Sequence, residues 1–257
     1  MRYAKRPTAV SAALALLAVV VADSAAAAGD DARDLVRRAL EALPKVPFIA
    51  KLKLSVDRGA PRELTLSHKL VAGARASYLE VIAPVEVQGM RFLFLERPDG
   101  QSDQFMKIAA SRKVIQVAAE MRKHSFLGSA FYVADLIEPA LDAFAYTDVG
   151  EDEILRRRCR LIEAVPKQPA GALYAKMIAA IDPKDLLILK RLFVDEKGTL
   201  LKTWTVERVD KVTGYWTLLE QRMRNPIEKT DSRLEITEIK HNVELPDELF
   251  SPEHLAR

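Results

Sequence analysis

Chemistry-bearing residues are scarce in this chain, which has one cysteine, four histidines and ten glycines among 257 residues. A single thiol, Cys159, excludes an internal disulfide, so stability must come from packing. Cys159 lies between arginines with no histidine or second cysteine nearby. It reads as a small strand hydrophobe, with an intermolecular disulfide as the alternative. His68, His124, His241 and His254 form no H-E-x-x-H pattern, and no C-x-x-C exists, so no metal site is expected. Ser129 follows a glycine but has none two residues after it, so it is not a nucleophile elbow. No glycine-rich phosphate loop is present. Asp148, Glu151, Asp152 and Glu153 are grouped, but read as a solvated turn rather than an acid–base pair. The expectation is a protein that is not an enzyme and carries no cofactor.

Long apolar runs are also absent, apart from Ala9–Ala22. That run is too short to span a bilayer comfortably. It follows Arg2, Lys5 and Arg6 and precedes the small residues Ser24–Ala28, which together read as a cleaved signal peptide over 1–28. A retained N-terminal anchor is the alternative. No cysteine follows the run, which excludes acylation there. The remaining 29–257 contains no Pro- or Ser-rich linker and is expected to form one domain. The leader takes with it three basic residues and one acidic residue, so the formal charge of +3 falls to about +1. A balance that small gives no support to nucleic-acid binding.

What is present is period-two patterning. One helix is expected first: Asp30 and Asp31 favour its positive end, and Leu35, Val36, Ala39, Leu40 and Leu43 make one apolar stripe before Pro44 and Pro47. Then Phe48–Val56, Leu64–Leu70 and Ala74–Ile82 alternate apolar and polar residues around Arg58-Gly59 and Ala72-Gly73 turns. Met90–Glu96 is apolar on both faces, and Pro98-Asp99-Gly100 is a turn. Short strands and a further run from Phe144 to Lys240 continue the meander, for roughly eleven to thirteen strands. A meander this long must curl to hide its apolar face. Curled, it leaves more volume than one helix fills, and interiors avoid voids, so an apolar hollow is expected.

Between the two strand-rich halves lies Ser125–Leu136, with Phe126, Phe131, Tyr132, Leu127 and Leu136 around a Gly128-Ser129 turn. A surface loop should be polar, so this segment reads as a plug or lid against the apolar hollow. Arg156, Arg158 and Arg160 share one strand face, read as solvated, with docking to an acidic partner or anionic lipid as the alternative. Trp204 and Trp216, on adjacent expected strands, read as core, with cavity lining as the alternative.

Several of these pieces, in order, resemble one family. They are the strand Met90–Glu96, the turn and strand Asp99-Gly100-Gln101-Ser102-Asp103-Gln104-Phe105, the basic Arg112-Lys113 and the block Ser125–Leu136. Arg160–Lys167 resembles a strand ending in Pro-Lys, Asp195–Lys202 a D-x-x-G-x-L-x-K hairpin, and Leu245–Pro252 a closing LPDxxFTP segment. The set resembles the outer-membrane lipoprotein-sorting protein family, the LolA-like exported carriers, over nearly all of 29–257. The resemblance implies a mainly β fold, a half-open antiparallel barrel wrapped over a helix and a short lid. It implies a periplasmic carrier of a lipid or other hydrophobic molecule, working beside an inner-membrane exporter of the resistance-nodulation-division type. The block departs from the family in having Ala130 for Asp and Tyr132-Val133-Ala134 for Ser-Tyr-Glu, while keeping Asp135. The lost acidity argues for a hydrophobic plug over a polar loop. The expected ligand-binding residues are Phe126, Leu127, Phe131 and Leu136 on the lid, and Leu52, Leu54, Leu64, Leu66, Phe92 and Phe94 on the walls. Transient contact with a membrane surface belongs to this reading. A sensor or adaptor that binds a protein partner with the same fold is the alternative.

Overall fold

The computed structural model describes residues 29–97, 101–109 and 113–257. The expected leader, the Pro98-Asp99-Gly100 turn and Arg112 lie outside the described residues. Helix α1 covers 29–41 and presents Ala32, Leu35, Val36 and Ala39 to the core, the stripe its spacing requires. Thirteen strands follow: β1 Phe48–Val56, β2 Arg62–Val71, β3 Ala74–Ala83, β4 Arg91–Glu96, β5 Ser102–Lys107, β6 Val114–Gln116, β7 Phe144–Ile154, β8 Arg157–Pro166, β9 Lys176–Asp182, β10 Leu187–Val194, β11 Leu200–Val212, β12 Tyr215–Asn225 and β13 Thr230–His241. A one-turn helix α2, Pro252–Leu255, ends the chain, its N-terminus capped by Ser251 Oγ accepting from His254 N.

Alternation sets the two faces. In β1, Ala50, Leu52 and Leu54 are buried while Lys51 and Lys53 face water. Two-residue turns join several neighbours. Ala72-Gly73, Leu155-Arg156 and Thr213-Gly214 all have both φ angles positive, the geometry that matches strand twist. Arg156 therefore sits in a turn, not on the face of Arg158 and Arg160.

The expected acidic turn is also corrected. Asp148, Glu151, Asp152 and Glu153 lie on β7, which continues through a bulge near Gly150 and pairs along its length with β8. Opposite charges then face each other: Arg160 binds Asp148 at 2.6 Å and Arg158 binds Glu151 at 2.6 Å. Lys190 reaches Asp152 at 3.0 Å. The arginine face is a set of cross-strand ion pairs rather than a stripe of open positive charge.

All strands belong to one antiparallel sheet in the order β6-β5-β4-β3-β2-β1-β13-β12-β11-β10-β9-β8-β7. The sheet is not closed, and its two edge strands, β6 and β7, are neighbours in sequence. The segment 117–143 that joins them must therefore pass from one edge to the other, and its residues pack into the main core. That core unites α1, the inward faces of the sheet and this connector. A second cluster forms on the outer face, where Phe250 and Leu255 cover Ala76, Tyr78 and Leu93. Strand β4 is thus buried on both sides, Phe92 and Phe94 inward and Leu93 outward, which is why its sequence does not alternate.

Candidate functional site: a hairpin plug and its buried anchor

The block Ser125–Leu136 folds as a small hairpin of its own. Phe126 N donates to Phe131 O at 2.7 Å and Ser129 N to Phe126 O at 3.0 Å. Leu127 and Gly128 occupy the tip with φ of 52° and 77°. The glycine suits that left-handed position, whereas the leucine holds it at a steric cost. Side chains of the same segment close three more of its polar groups. Ser129 Oγ donates to Phe126 O and accepts from Phe131 N, and Ser125 Oγ donates to Ser129 O. With these backbone groups satisfied within the hairpin, less of its polar surface has to be answered by the apolar site.

All ten expected binding residues fall in the same core cluster. Leu52, Leu54, Leu64, Phe92, Phe94, Phe126 and Phe131 are buried, and Leu66, Leu127 and Leu136 are half-buried against them. Phe126 meets Phe92 edge-to-face at 5.0 Å. These side chains do not line an open hollow. They fill it, the lid residues packing with the wall residues. An apolar cavity of about 40 Å³ lies on the other half of the sheet, between Val36 and Leu40 of α1 and inward residues of β7–β10 such as Ile162, Ala179 and Ile188. A drug-sized ligand pocket holds roughly 300 Å³ or more, so this is room for a water, not a lipid chain. The expectation of spare apolar volume is corrected for this conformation, because the plug and α1 occupy it.

Polar residues fix the plug in place. Asp135, in the 3-10 turn Val133–Leu136, is an acceptor with three donors. Tyr132 N and Tyr174 Oη each donate to it at 2.7 Å, and Lys202 Nζ forms an ion pair with it. The side chain of Lys202 is fully buried and that of Asp135 nearly so. The ammonium lies 3.5 Å from the Tyr132 ring centroid, with Tyr174 and Phe193 slightly farther. Burial pulls the Lys202 pKa down, while the Asp135 charge holds it up. Burial first, and then Asp135, raises the Tyr174 phenol. Tyr132 Oη donates to Glu228 at 2.7 Å, and burial followed by that carboxylate pushes its pKa up to about 12. Ala130 N donates to Ser232 Oγ on β13 at 3.0 Å. The lost acidity of the block therefore does not make it apolar throughout, since its one retained carboxylate is the anchor.

The sequence reading missed Lys202, Tyr174 and Glu228. A signal for Lys202 exists: it shares the period-two face of β11 with Trp204 and Val206, both buried. A lysine in register with core residues needs a buried partner, and Asp135 is the one acidic residue within the apolar block. Trp204 packs inward, its Nε1 donating to Gln221 at 3.2 Å with Arg191 over its ring, while Trp216 stacks under Arg157. Cys159 is fully buried on β8, where burial pushes its thiol up to about 11, the setting of an inert hydrophobe. Among the described residues no group of three or more His, Cys, Asp and Glu could hold a metal ion.

An open antiparallel sheet, filled by one helix and by a plug on the connector between its edges, defines the fold. The family model that matches residues 73–257 is described as that of an uncharacterized protein, and the chain belongs to that family. Solved structures share the fold. A putative outer membrane lipoprotein-sorting protein domain from Vibrio parahaemolyticus superposes with a TM-score of 0.82 at 20% identity, covering 89% of this chain and 100% of that one. A DUF1329 family protein from Desulfovibrio piger gives 0.80 at 21%, covering 89% and 99%. A LolA superfamily protein from Nitrosomonas europaea gives 0.67 at 17%, covering 87% and 99%. No curated protein matches the sequence.

Proposed function

We propose that the chain is a periplasmic carrier that takes up a lipid or other hydrophobic molecule by exchanging it for the plug. One observation carries the reading. The inward residues of β1–β4 share one core with a hairpin on the connector between the two edge strands, and Phe126 of that hairpin meets Phe92 at 5.0 Å. Such a unit can leave without breaking sheet hydrogen bonds. The apolar wall it uncovers would then be covered again by acyl chain, at about 25 cal/mol per Å² removed from water. Nothing in this cycle requires a bond to be made or broken, so the protein acts as a binder and not as an enzyme. The donor and acceptor are membrane surfaces or an inner-membrane exporter of the resistance-nodulation-division type. The Vibrio parahaemolyticus neighbour of the same fold is described as a putative outer membrane lipoprotein-sorting protein domain, which supports carriage of lipid or lipidated cargo.

Phe131→Asp places a charge where the plug meets the wall and should lower captured lipid while the sheet persists. Lipid extracted from wild-type and variant protein, quantified by mass spectrometry, checks this, with circular dichroism reporting the fold. Equal lipid in the two would count against the plug as the gate. A second reading, an adaptor that binds a protein partner, is favoured by the small volume of the apolar cavity. An adaptor would purify without lipid and together with a membrane protein.

A further inference from the structure

Among the described residues, the inner wall holds a side-chain amide whose oxygen and nitrogen both lack a partner. Gln104 on β5 is 1% exposed, yet neither Oε1 nor Nε2 has a hydrogen-bond partner. Its backbone is used normally: it pairs in register with Phe94, and its carbonyl accepts from Val117 N at 2.8 Å. Alternation along β5 places Gln104 on the same side as Met106, which packs into the main core, while Phe105 packs into the outer cluster. Above this end of the wall lies the 3-10 turn Ala119–Lys123, on the connector that carries the plug. Its Arg122 donates from Nη2 to Ser102 O at 3.4 Å, two residues from Gln104, while the buried Arg122 Nε has no partner. Two donors and one acceptor are thus idle at one edge of the greasy wall. Buried amides are almost always paired, because an unmade hydrogen bond in a low dielectric is costly. A leucine would serve packing better at this position.

We propose that Gln104, assisted by Arg122, recognises the polar head of the carried molecule. The ligand is then an amphiphile rather than a plain hydrocarbon. Its head offers an acceptor oxygen to Gln104 Nε2 and Arg122 Nε, together with an O–H or N–H for Gln104 Oε1. Its chain follows Phe94 and Phe92 into the volume that the plug vacates. This inference rests on the carrier reading and adds the chemical class of the cargo.

Gln104→Leu removes the idle amide without creating a charge or a large void, so the ligand-free variant should melt at or above the wild-type temperature. Delipidated protein would be titrated with two fluorescent probes of equal chain length, a monoacylglycerol and an alkane. The variant should lose about tenfold in affinity for the monoacylglycerol and keep its affinity for the alkane. Equal binding of both probes by wild type and variant would overturn the headgroup role and leave the carrier reading standing. Wild-type protein that binds neither probe would overturn the carrier reading and this inference with it.

Discussion

A buried ammonium needs its charge answered, and Lys202 finds the opposite charge on the connector. Asp135 supplies the opposite charge and Tyr132 the nearest ring face. Removing one partner leaves the other charged and dry, at a cost of about 3–5 kcal/mol, whereas replacing both with apolar groups is often close to neutral. Lys202→Met and Asp135→Leu should each lower urea stability by roughly that amount, and the double variant should lose less than their sum, keeping the cost of the Tyr132 N and Tyr174 Oη donors that Asp135 no longer answers. Additive losses in the double variant would mean that the two residues do not act as a pair. The geometry gives the pair a second consequence. Because Asp135 belongs to the plug and Lys202 to the sheet, the single variants should loosen Ser125–Leu136 more than the strands. Hydrogen exchange read segment by segment distinguishes that from uniform destabilisation.

The plug hairpin is an element whose shape depends on its tip. Gly128 takes φ of 77°, and a Cβ there would meet only Arg62 Nη2 at 3.6 Å, ordinary contact distance. Gly128→Ala therefore tests backbone conformation alone. It should cost about 1–2 kcal/mol, read as roughly tenfold faster exchange of the Ser129 amide while β1–β4 stay protected. Unchanged exchange at Ser129 would show that the tip does not hold the hairpin together. At this scale the sequence was informative wherever a local rule sufficed. Alternation in Phe48–Val56, the Ala72-Gly73 turn and the stripe on α1 each follow from neighbouring residues. The out-of-place greasiness of Ser125–Leu136 was legible for the same reason. What escaped depends on contacts distant in sequence. Asp135 and Lys202 are 67 residues apart, and no spacing announces their pairing. The acidic run on β7 looked like a turn because its partners, Arg158 and Arg160, are set by register and not by composition. The filled interior escaped because periodicity counts strands but does not say how deeply a connector enters.

For the molecule as a whole, acid sensitivity should gather at the joint between helix and sheet. His68 is buried on β2, stacked on Phe48 at 4.9 Å, with Nδ1 2.9 Å from Ser77 Oγ on β3. Burial first, and then the nearby Arg75 cation, lower its pKa to about 4, with the Pro44 carbonyl opposing them. Pro44 lies on the stretch that carries the chain from α1 to β1, and Pro47 O on that stretch accepts from Asn242 N just past β13. Protonating His68 would place a charge where the helix exit, β1, β2 and β3 converge. Between pH 6.5 and 4 the unfolded chain binds a proton at this site that the folded chain refuses. Stability is therefore full above about 6.5 and falls as pH drops toward 4, by on the order of 2–3 kcal/mol if this site acts alone. Carboxylates held low by ion pairs, such as Asp231 beside Arg222, add an acid slope of their own at lower pH. The informative quantity is thus the difference between wild type and His68→Gln, which keeps a polar group near Ser77 but cannot charge in this range. Urea unfolding at half-unit steps from pH 7 to 4 should show the wild type losing stability faster than the variant within that window. Parallel curves for the two proteins would mean that His68 titrates normally and that the helix–sheet joint is not where acid acts.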